Sequence, residues 1–401
     1  MSDPARARLL KIYSAALAAV DGATRTRDWL QANPIDSPLT LIAIGKAAGA
    51  MARGAHAAFG TAIADAFIVT RYGHGEPLPW PVIEAGHPVP DAGSIAAGEQ
   101  LDAFVAGMPL SAAVLVLLSG GASAVLERLP EGVALADLQA VNQWLLASGL
   151  DIHAMNAVRK RLSCIKGGRL ARRLHPRTVT CLAISDVPGD DPGDIGSGPL
   201  TPDAAALDES SLPPFIRALL AKAPPLPPVG DPCFQNVRYA IVAGNVDARR
   251  AAARAAVVQG WRVESDAGLL HGDASITGRS LAQRLLAAPP GVLHVWGGET
   301  TVRLPPNPGR GGRCQQLALA AARELAGCEN VWMLAAGTDG RDGPGEDAGA
   351  LVDGGTIARG SAEGLRVDDA LARADAGRFL EASGDLIQTG PTGTNVMDLV
   401  L

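Results

Sequence analysis

Between Leu182 and Pro199 the chain reads LAISDVPGDDPGDIGSGP, an apolar run followed by four aspartates (Asp186, Asp190, Asp191, Asp194) that alternate with glycine and proline. This pattern predicts a buried strand that ends in an acidic, glycine-rich loop. Carboxylates at a strand's C-terminal edge suit a hard cation such as Mg²⁺, and glycines let backbone N–H groups approach phosphate oxygens. Those two needs meet in phosphoryl transfer. A solvated Asp/Gly/Pro turn has the same composition, and the choice between the readings rests on how many similar edges occur elsewhere.

Several do. Ser119-Gly120-Gly121-Ala122-Ser123 follows an apolar run and reads as a phosphate cradle, or equally as a strand-to-helix turn capped by Ser123. Lys46, after Gly45, stands where a helix should begin; the helix dipole disfavours a cation there, which points to an anion to neutralise. Arg313, after the glycines of Gly309 to Gly312, is placed similarly. Asp339 could ligate a metal or accept a hydroxyl proton, and Glu299 could bind metal or a sugar-type hydroxyl. As alternatives, Asp339 is an Asp-Gly turn residue and Glu299 sits at a hairpin tip. Asn156, Arg159, Lys160 and Ser163 recur at spacings of three or four and share a helix face. His74 and His87 lie in loops without a metal-ligand pattern.

Elements must carry these groups to a common place. The strands expected are 39–44, 66–70, 113–118 and 178–184, then 238–243, 261–264, 292–296, 331–336 and 396–401, with helical patterns between most of them. The expectation is α/β: two α/β domains with mostly parallel sheets, since apolar runs such as AVLVLL suit strands covered on both faces. Gly297 to Val302 reads as a turn into a hairpin. The segment APPLPPVGDP (223–232) cannot be helix or central strand and is expected to divide a domain 1–228 from a domain 233–401. Ligands in such sheets bind beyond the carboxyl ends of strands, where the groups above fall.

With 401 residues, 47% of them hydrophobic, the chain is long enough for two cores, and a net charge of −6 argues against nucleic acid and anionic membrane surfaces as partners. Five scattered cysteines without a CxxC pair suggest a reducing compartment, and no stretch reaches the length of a membrane span, so the expected location is the cytoplasm. The basic N-terminus leads into Leu9, Ile12, Ala16 and Val20 at helical spacing, an amphipathic helix rather than a leader. Walker A, GxGxxG, protein-kinase and GxSxG motifs are all absent.

The motifs IGKAAGAMA (44–52), GHPVPD (86–91), LLSGGASA (117–124), NAVRKRLSCIKGGRLA (156–171), ISDVPGDDPGDIGSGP (184–199), GGET (297–300), GRGGRCQQLALA (309–320), AAGTDGRDGP (335–344) and TGPTGTNVMDL (389–399) resemble, in this order, the class II glycerate 2-kinases. That family joins a Rossmann-like N-terminal domain of the DUF4147 type to a C-terminal MOFRL domain. The resemblance implies ATP-dependent transfer to the 2-hydroxyl of D-glycerate, a divalent metal such as Mg²⁺, and an active-site cleft between the domains. By motif match the site falls on Lys46, Asp186, Glu299, Arg313, Asp339 and Asn395. Lys46, Asp186 and Arg313 would be catalytic, Glu299, Asp339 and Asn395 would bind substrate, and Asp186 and Asp339 would hold metal. Ser119, Gly120, Gly121, Ala122, Ser123, Ser197 and Gly198 would hold nucleotide phosphates. An NAD(P)H-dependent hydroxypyruvate reductase is the rival reading, and monomer and homodimer both fit the sequence.

Overall fold

The apolar runs become strands of two sheets. In a computed structural model, residues 4–36, 38–148, 150, 152–205 and 207–401 are described. As far as residue 243 the helices are α1 (Pro4–Ala19), α2 (Gly22–Ala32), α3 (Ala48–Phe59), α4 (Ala92–Gly107), α5 (Ala122–Val125), α6 (Leu135–Ala147), α7 (Ile152–Leu162), α8 (Arg169–Leu174) and α9 (Pro214–Leu220). The strands are β1 (Leu39–Ile44), β2 (Ile63–Arg71), β3 (Val82–Ala85), β4 (Ala113–Leu118), β5 (Val179–Ile184) and β6 (Val237–Ala243). After residue 243 come helices α10 (Asn245–Val258), α11 (Ala274–Ala287), α12 (Arg313–Glu324), α13 (Thr356–Ala362), α14 (Val367–Ala372) and α15 (Ala376–Ala382). Their strands are β7 (Arg262–Ser265), β8 (Val292–Gly298), β9 (Trp332–Gly337), β10 (Gly349–Asp353), β11 (Leu386–Ile387) and β12 (Asp398–Val400).

The chain divides into two compact units, Gly22–Ala243 and the N-terminal segment to Asp21 together with Gly244–Leu401. In the first, the sheet order is β3-β2-β1-β4-β5-β6 and every neighbouring pair is parallel. All residues of β1 and β5 are buried, which is why these strands are continuously apolar rather than alternating. Ile42, Val116 and Ala183 share a core with Leu101 of α4 and Leu174 of α8, while Val141, Val158 and Ile216 form a satellite core among α6, α7 and α9. Because β2 and β3 extend from one side of β1 and β4 to β6 from the other, the order reverses between β1 and β4. A crevice opens at such a reversal, beyond the carboxyl ends of the strands.

In the second unit the order is β11-β10-β9-β12-β8-β7. Strands β7 and β8 are parallel, whereas β12 runs antiparallel to both β8 and β9, and β10 antiparallel to β9 and β11. Four strands therefore share a direction, with β10 and β12 running against them. Trp296, Met333 and Val400 pack under α11, α12 and α15, and the buried face of α1 (Leu9, Ile12, Tyr13, Ala16) lies against α10.

Three differences from the sequence reading have physical causes. The proline-rich segment does not part the units: β6 follows it and pairs with β5 from Val179↔Val237 to Ile184↔Ala243, satisfying an edge that would otherwise be bare. At the other end, the amphipathic helix α1 finds its apolar partner on α10 rather than in the unit that follows it in sequence. Nor does Gly297 to Val302 turn into a hairpin. Strand β8 runs on to Gly298, and Gly298 and Thr301 make parallel bridges to Leu270 and Asp273, so Glu299 is held along an extended segment and not at a tip.

Candidate active site

In the unit Gly22–Ala243, three adjacent strands deliver three loops to one sheet edge, since Ile44 pairs with Leu118 and Leu118 with Ala183. The loop after β1 closes on the loop after β4: Ser119 N–H donates to Ile44 O (3.0 Å), Lys46 N–H to Gly120 O (2.9 Å), and Ala47 N–H to Ser119 Oγ (3.0 Å). Gly45 has φ +118°, and a Cβ there would lie 2.5 Å from the Ser119 carbonyl oxygen, so only glycine allows this approach. Lys46 is thus fixed two residues before α3, at the reversal in strand order. Gly121 (φ +81°) has no side chain to separate its neighbours: a Cβ there would lie 2.9 Å from His87 Cδ2 and 3.2 Å from Lys46 Cγ. His87 therefore joins Lys46 and the glycine loop, although nothing in its spacing signalled this.

The Ser119–Ser123 stretch is divided in use. Ser119 is buried and its hydroxyl serves the backbone of the neighbouring loop, whereas Ser123 Oγ lies 3.0 Å from Ser197 Oγ and links this loop to the GSGP turn. Helix α5 is one turn long, so donors for an anion here are loop amides rather than a helix dipole. Ser197 and Gly198 offer their carbonyls to Gly167 and Gly168 N–H (3.1 and 2.8 Å), docking the turn on the KGG segment. The four aspartates separate. Asp191 accepts from Gly193 N–H (2.8 Å), and Asp194 faces Lys160 (3.6 Å), which also lies 3.8 Å from Asp203. Asp186 stands directly at the end of β5, where Ser185 Oγ and the Val187 backbone bond around it. Of the cationic helix face, Arg159 bonds Asn142 and Asn156, and Ser163 and Lys166 both bond the buried Glu127 (2.5 Å each).

In the other unit the groups at the strand ends are side chains. Asp398 opens β12 and pairs with Gly298 on one side and Gly337 on the other, so Glu299, Asp398 and the Thr338-Asp339 turn lie at one sheet end. Arg313, the first residue of α12, donates from Nε and Nη2 to the two oxygens of Asp398 (2.6 and 3.0 Å) and from Nη1 to Glu299 Oε1 (2.6 Å). Asp339 is buried and accepts from Arg341 N–H (3.1 Å), so it also makes the Asp-Gly turn. The TGPTGTN loop is fastened beside it: Thr392 Oγ1 donates to Thr338 O (2.6 Å), and Thr338 Oγ1 accepts from Val396 N–H (2.8 Å), with Asn395 buried between.

The profile of a domain of unknown function, DUF4147, matches residues 8–212, and that of the MOFRL family matches 292–398. A Thermotoga maritima protein named D-glycerate 2-kinase is 38% identical over 383 residues, 90% of this chain and 89% of its own. The chain belongs to the glycerate 2-kinase family. The family likeness extends to the fold: a crystal structure described as glycerate kinase from Thermotoga maritima matches 99% of both chains with a TM-score of 0.84 at 35% identity. An Agrobacterium vitis relative, 38% identical over 98% of this chain and 93% of its own, carries a hydroxypyruvate reductase name.

For this glycerate 2-kinase family member, electrostatics separate the two clusters. Burial alone would lower the Arg313 pKa, but Asp398, with Glu299 behind it, outweighs burial and holds the guanidinium charged. Asp342, fully enclosed, accepts from Cys314 and Gln315 N–H (3.0 and 2.7 Å) at the start of α12. Burial, reinforced by Asp398, pushes its carboxyl up to about 7. Tyr13 is pushed well above its ordinary value by burial and by Cys314, Asp339, Asp398 and Asp342, so it remains a hydrogen-bond donor. Among the described residues, no three His, Cys, Asp or Glu side chains form a metal-holding group. Asp186 and Asp339 each present a strand-end carboxylate, which is the donor type a hard cation takes.

Asp398, Asp342, Tyr13 and Asn245 were not singled out from the sequence. Asp398 lies within TGPTGTNVMDL and Asp342 within AAGTDGRDGP, yet their partners are 85 and 28 residues away, a pairing that no local spacing encodes.

Proposed function

We propose that this chain transfers the γ-phosphoryl group of ATP to the 2-hydroxyl of D-glycerate, giving 2-phosphoglycerate and ADP, with Mg²⁺. The observation that carries the reading is the likeness to a named D-glycerate 2-kinase along nine-tenths of the chain, through both units. The parallel sheet supports it, with glycine loops and Lys46 at the reversal of strand order, where nucleotide-binding α/β sheets place their ligands.

In the reaction, the 2-hydroxyl oxygen bonds the γ-phosphorus while the bond from that phosphorus to the β–γ bridging oxygen breaks, and the bridging oxygen leaves on ADP. Lys46 is assigned to the transferring phosphoryl charge, and the loop amides of Gly120 to Ser123 with Ser197 and Gly198 to nucleotide phosphates. Arg313, held in place by Asp398 and Glu299, is assigned to the glycerate carboxylate or the γ-phosphate. Glu299, Asp339 and Asn395 are assigned to substrate. Mg²⁺ would neutralise phosphate charge, with Asp186 and Asp339 as its proposed ligands. Asp186 either holds it or takes the hydroxyl proton. All five cysteines are free, which suits a reducing cytoplasm.

The test is purified protein with D-glycerate, ATP and Mg²⁺, in parallel with hydroxypyruvate and NADH. ADP should form in step with glycerate loss while NADH is untouched. NADH loss without ADP formation would replace the reading with the reductase that some relatives are named for.

A further inference from the structure

We propose that Tyr13 and Asn245 are positioning residues for the Glu299–Arg313–Asp398 cluster, fixing by buried hydrogen bonds the strand ends that present Asp339 and Asp398. The inference rests on the kinase reading for its kinetic consequences. Its geometry lies within one unit.

Tyr13 belongs to α1, far from the cluster in sequence, and is 2% exposed. Its hydroxyl donates to Gly337 O at 2.7 Å. Gly337 is the last residue of β9, so this bond fastens the point at which the chain turns into Thr338 and Asp339. Asn245, the first residue of α10 and 3% exposed, donates from Nδ2 to Val396 O (2.8 Å) and Asp398 O (3.1 Å). Those two carbonyls flank Met397, which is held at φ +66°, a conformation that a methionine rarely adopts. A three-residue strand preceded by such a kink is poorly self-specified. One amide gripping both sides of the kink decides where the Asp398 carboxylate points, and hence where Arg313 is aimed.

Gly297 shows how closely the amide is seated: a Cβ on Gly297 would run into Asn245 Oδ1. Thr338 completes the brace, its Oγ1 donating to Met397 O (2.6 Å). Neither Tyr13 nor Asn245 makes any of the site contacts described above for Lys46, Asp186 or Arg313, so their effect must pass through Asp339 and Asp398.

Tyr13→Phe removes one hydroxyl and little volume. Asn245→Asp keeps the shape but sets a carboxylate against two carbonyls, and Asn245→Ser is the milder partner should the aspartate fail to fold. With each variant folded at the assay temperature, kcat is expected to fall about tenfold for Tyr13→Phe and about thirtyfold or more for Asn245→Asp, with KM for ATP nearly unchanged. In an Arg313→Lys background the Asn245 effect should shrink to about threefold or less, because the residue acts through that guanidinium. Lower melting temperatures with unchanged kcat and KM, or full additivity with Arg313→Lys, would make these ordinary buried hydrogen bonds and overturn the proposal. If the wild-type protein forms no ADP from D-glycerate, the kinase reading fails by itself. Amide exchange across 396–400 then decides the inference: faster exchange in the Asn245 variants upholds the brace, and unchanged exchange removes it.

Discussion

In the parallel-sheet unit, the groups gathered at the strand ends are largely backbone: glycine amides, the carbonyls that close the β1 and β4 loops on each other, and one lysine carried by them. In the mixed-sheet unit they are side chains, with one guanidinium spread over two carboxylates and a further acid enclosed behind it. The difference follows from strand direction. A parallel sheet sends successive strand ends, each followed by a loop into a helix, to the same edge, so main-chain donors accumulate there. Where β12 runs against β8 and β9, one end meets a strand beginning instead, and it is the side chain of Asp398 that arrives at the edge. A backbone site should be sensitive to shape, and a side-chain site to charge and pH.

The largest effect expected is from Lys46→Ala. With the cation proposed for the transferring phosphoryl group removed, kcat should fall by about a hundredfold or more with the circular dichroism spectrum unchanged. Turnover near that of the wild type would leave the parallel unit with a purely backbone role. Arg313→Lys keeps the charge but not the two-pronged fit to Asp398, so kcat/KM for D-glycerate should fall about thirtyfold. A loss below about threefold would show that charge alone matters in that cluster.

Asp186→Asn retains size and removes charge, and the Mg²⁺ concentration for half-maximal activity should rise about tenfold or activity vanish. Unchanged Mg²⁺ dependence with lower turnover would assign Asp186 to the hydroxyl proton and leave Asp339 as the metal ligand. Gly121→Ala tests shape directly. The new methyl group meets His87 and Lys46 at a backbone φ of +81°, so KM for ATP should rise about tenfold in kinetic assays and the melting temperature should fall.

The smallest effect concerns stability. Burial raises the Asp342 carboxyl from 3.8 to about 7, so folding favours its protonated form. Its contribution is full below the unfolded value and is lost as pH rises through the folded one. Between about pH 5 and pH 7.5, above the range where Asp231 (lowered to about 2) titrates, the melting temperature should decline, and Asp342→Asn should flatten that decline. An identical slope in the variant would show that Asp342 is ionised in the fold throughout.

Much of this was legible in the chain itself. Apolar runs located LTLIAI and AVLVLL at the bounds the strands have, and the helical spacing of Leu9, Ile12 and Ala16 located the first helix. Lys46, Asp186, Arg313 and Asp339 could be singled out because strand ends are marked by local composition, and local composition is what a linear reading detects. Three things were decided only by tertiary structure. β6 joined the sheet across the proline-rich segment because an open strand edge needs a partner. α1 crossed to the far unit because its apolar stripe is complementary to α10, a fact that its own periodicity does not contain. Arg313 acquired Asp398, and Asn245 the carbonyls on either side of Met397, through antiparallel insertion of β12, while Tyr13 reached the Gly337 carbonyl at the end of β9 from α1, more than three hundred positions away. Sequence fixes each element through interactions within a few residues. The pairing of elements depends on surfaces that exist only after those elements have formed.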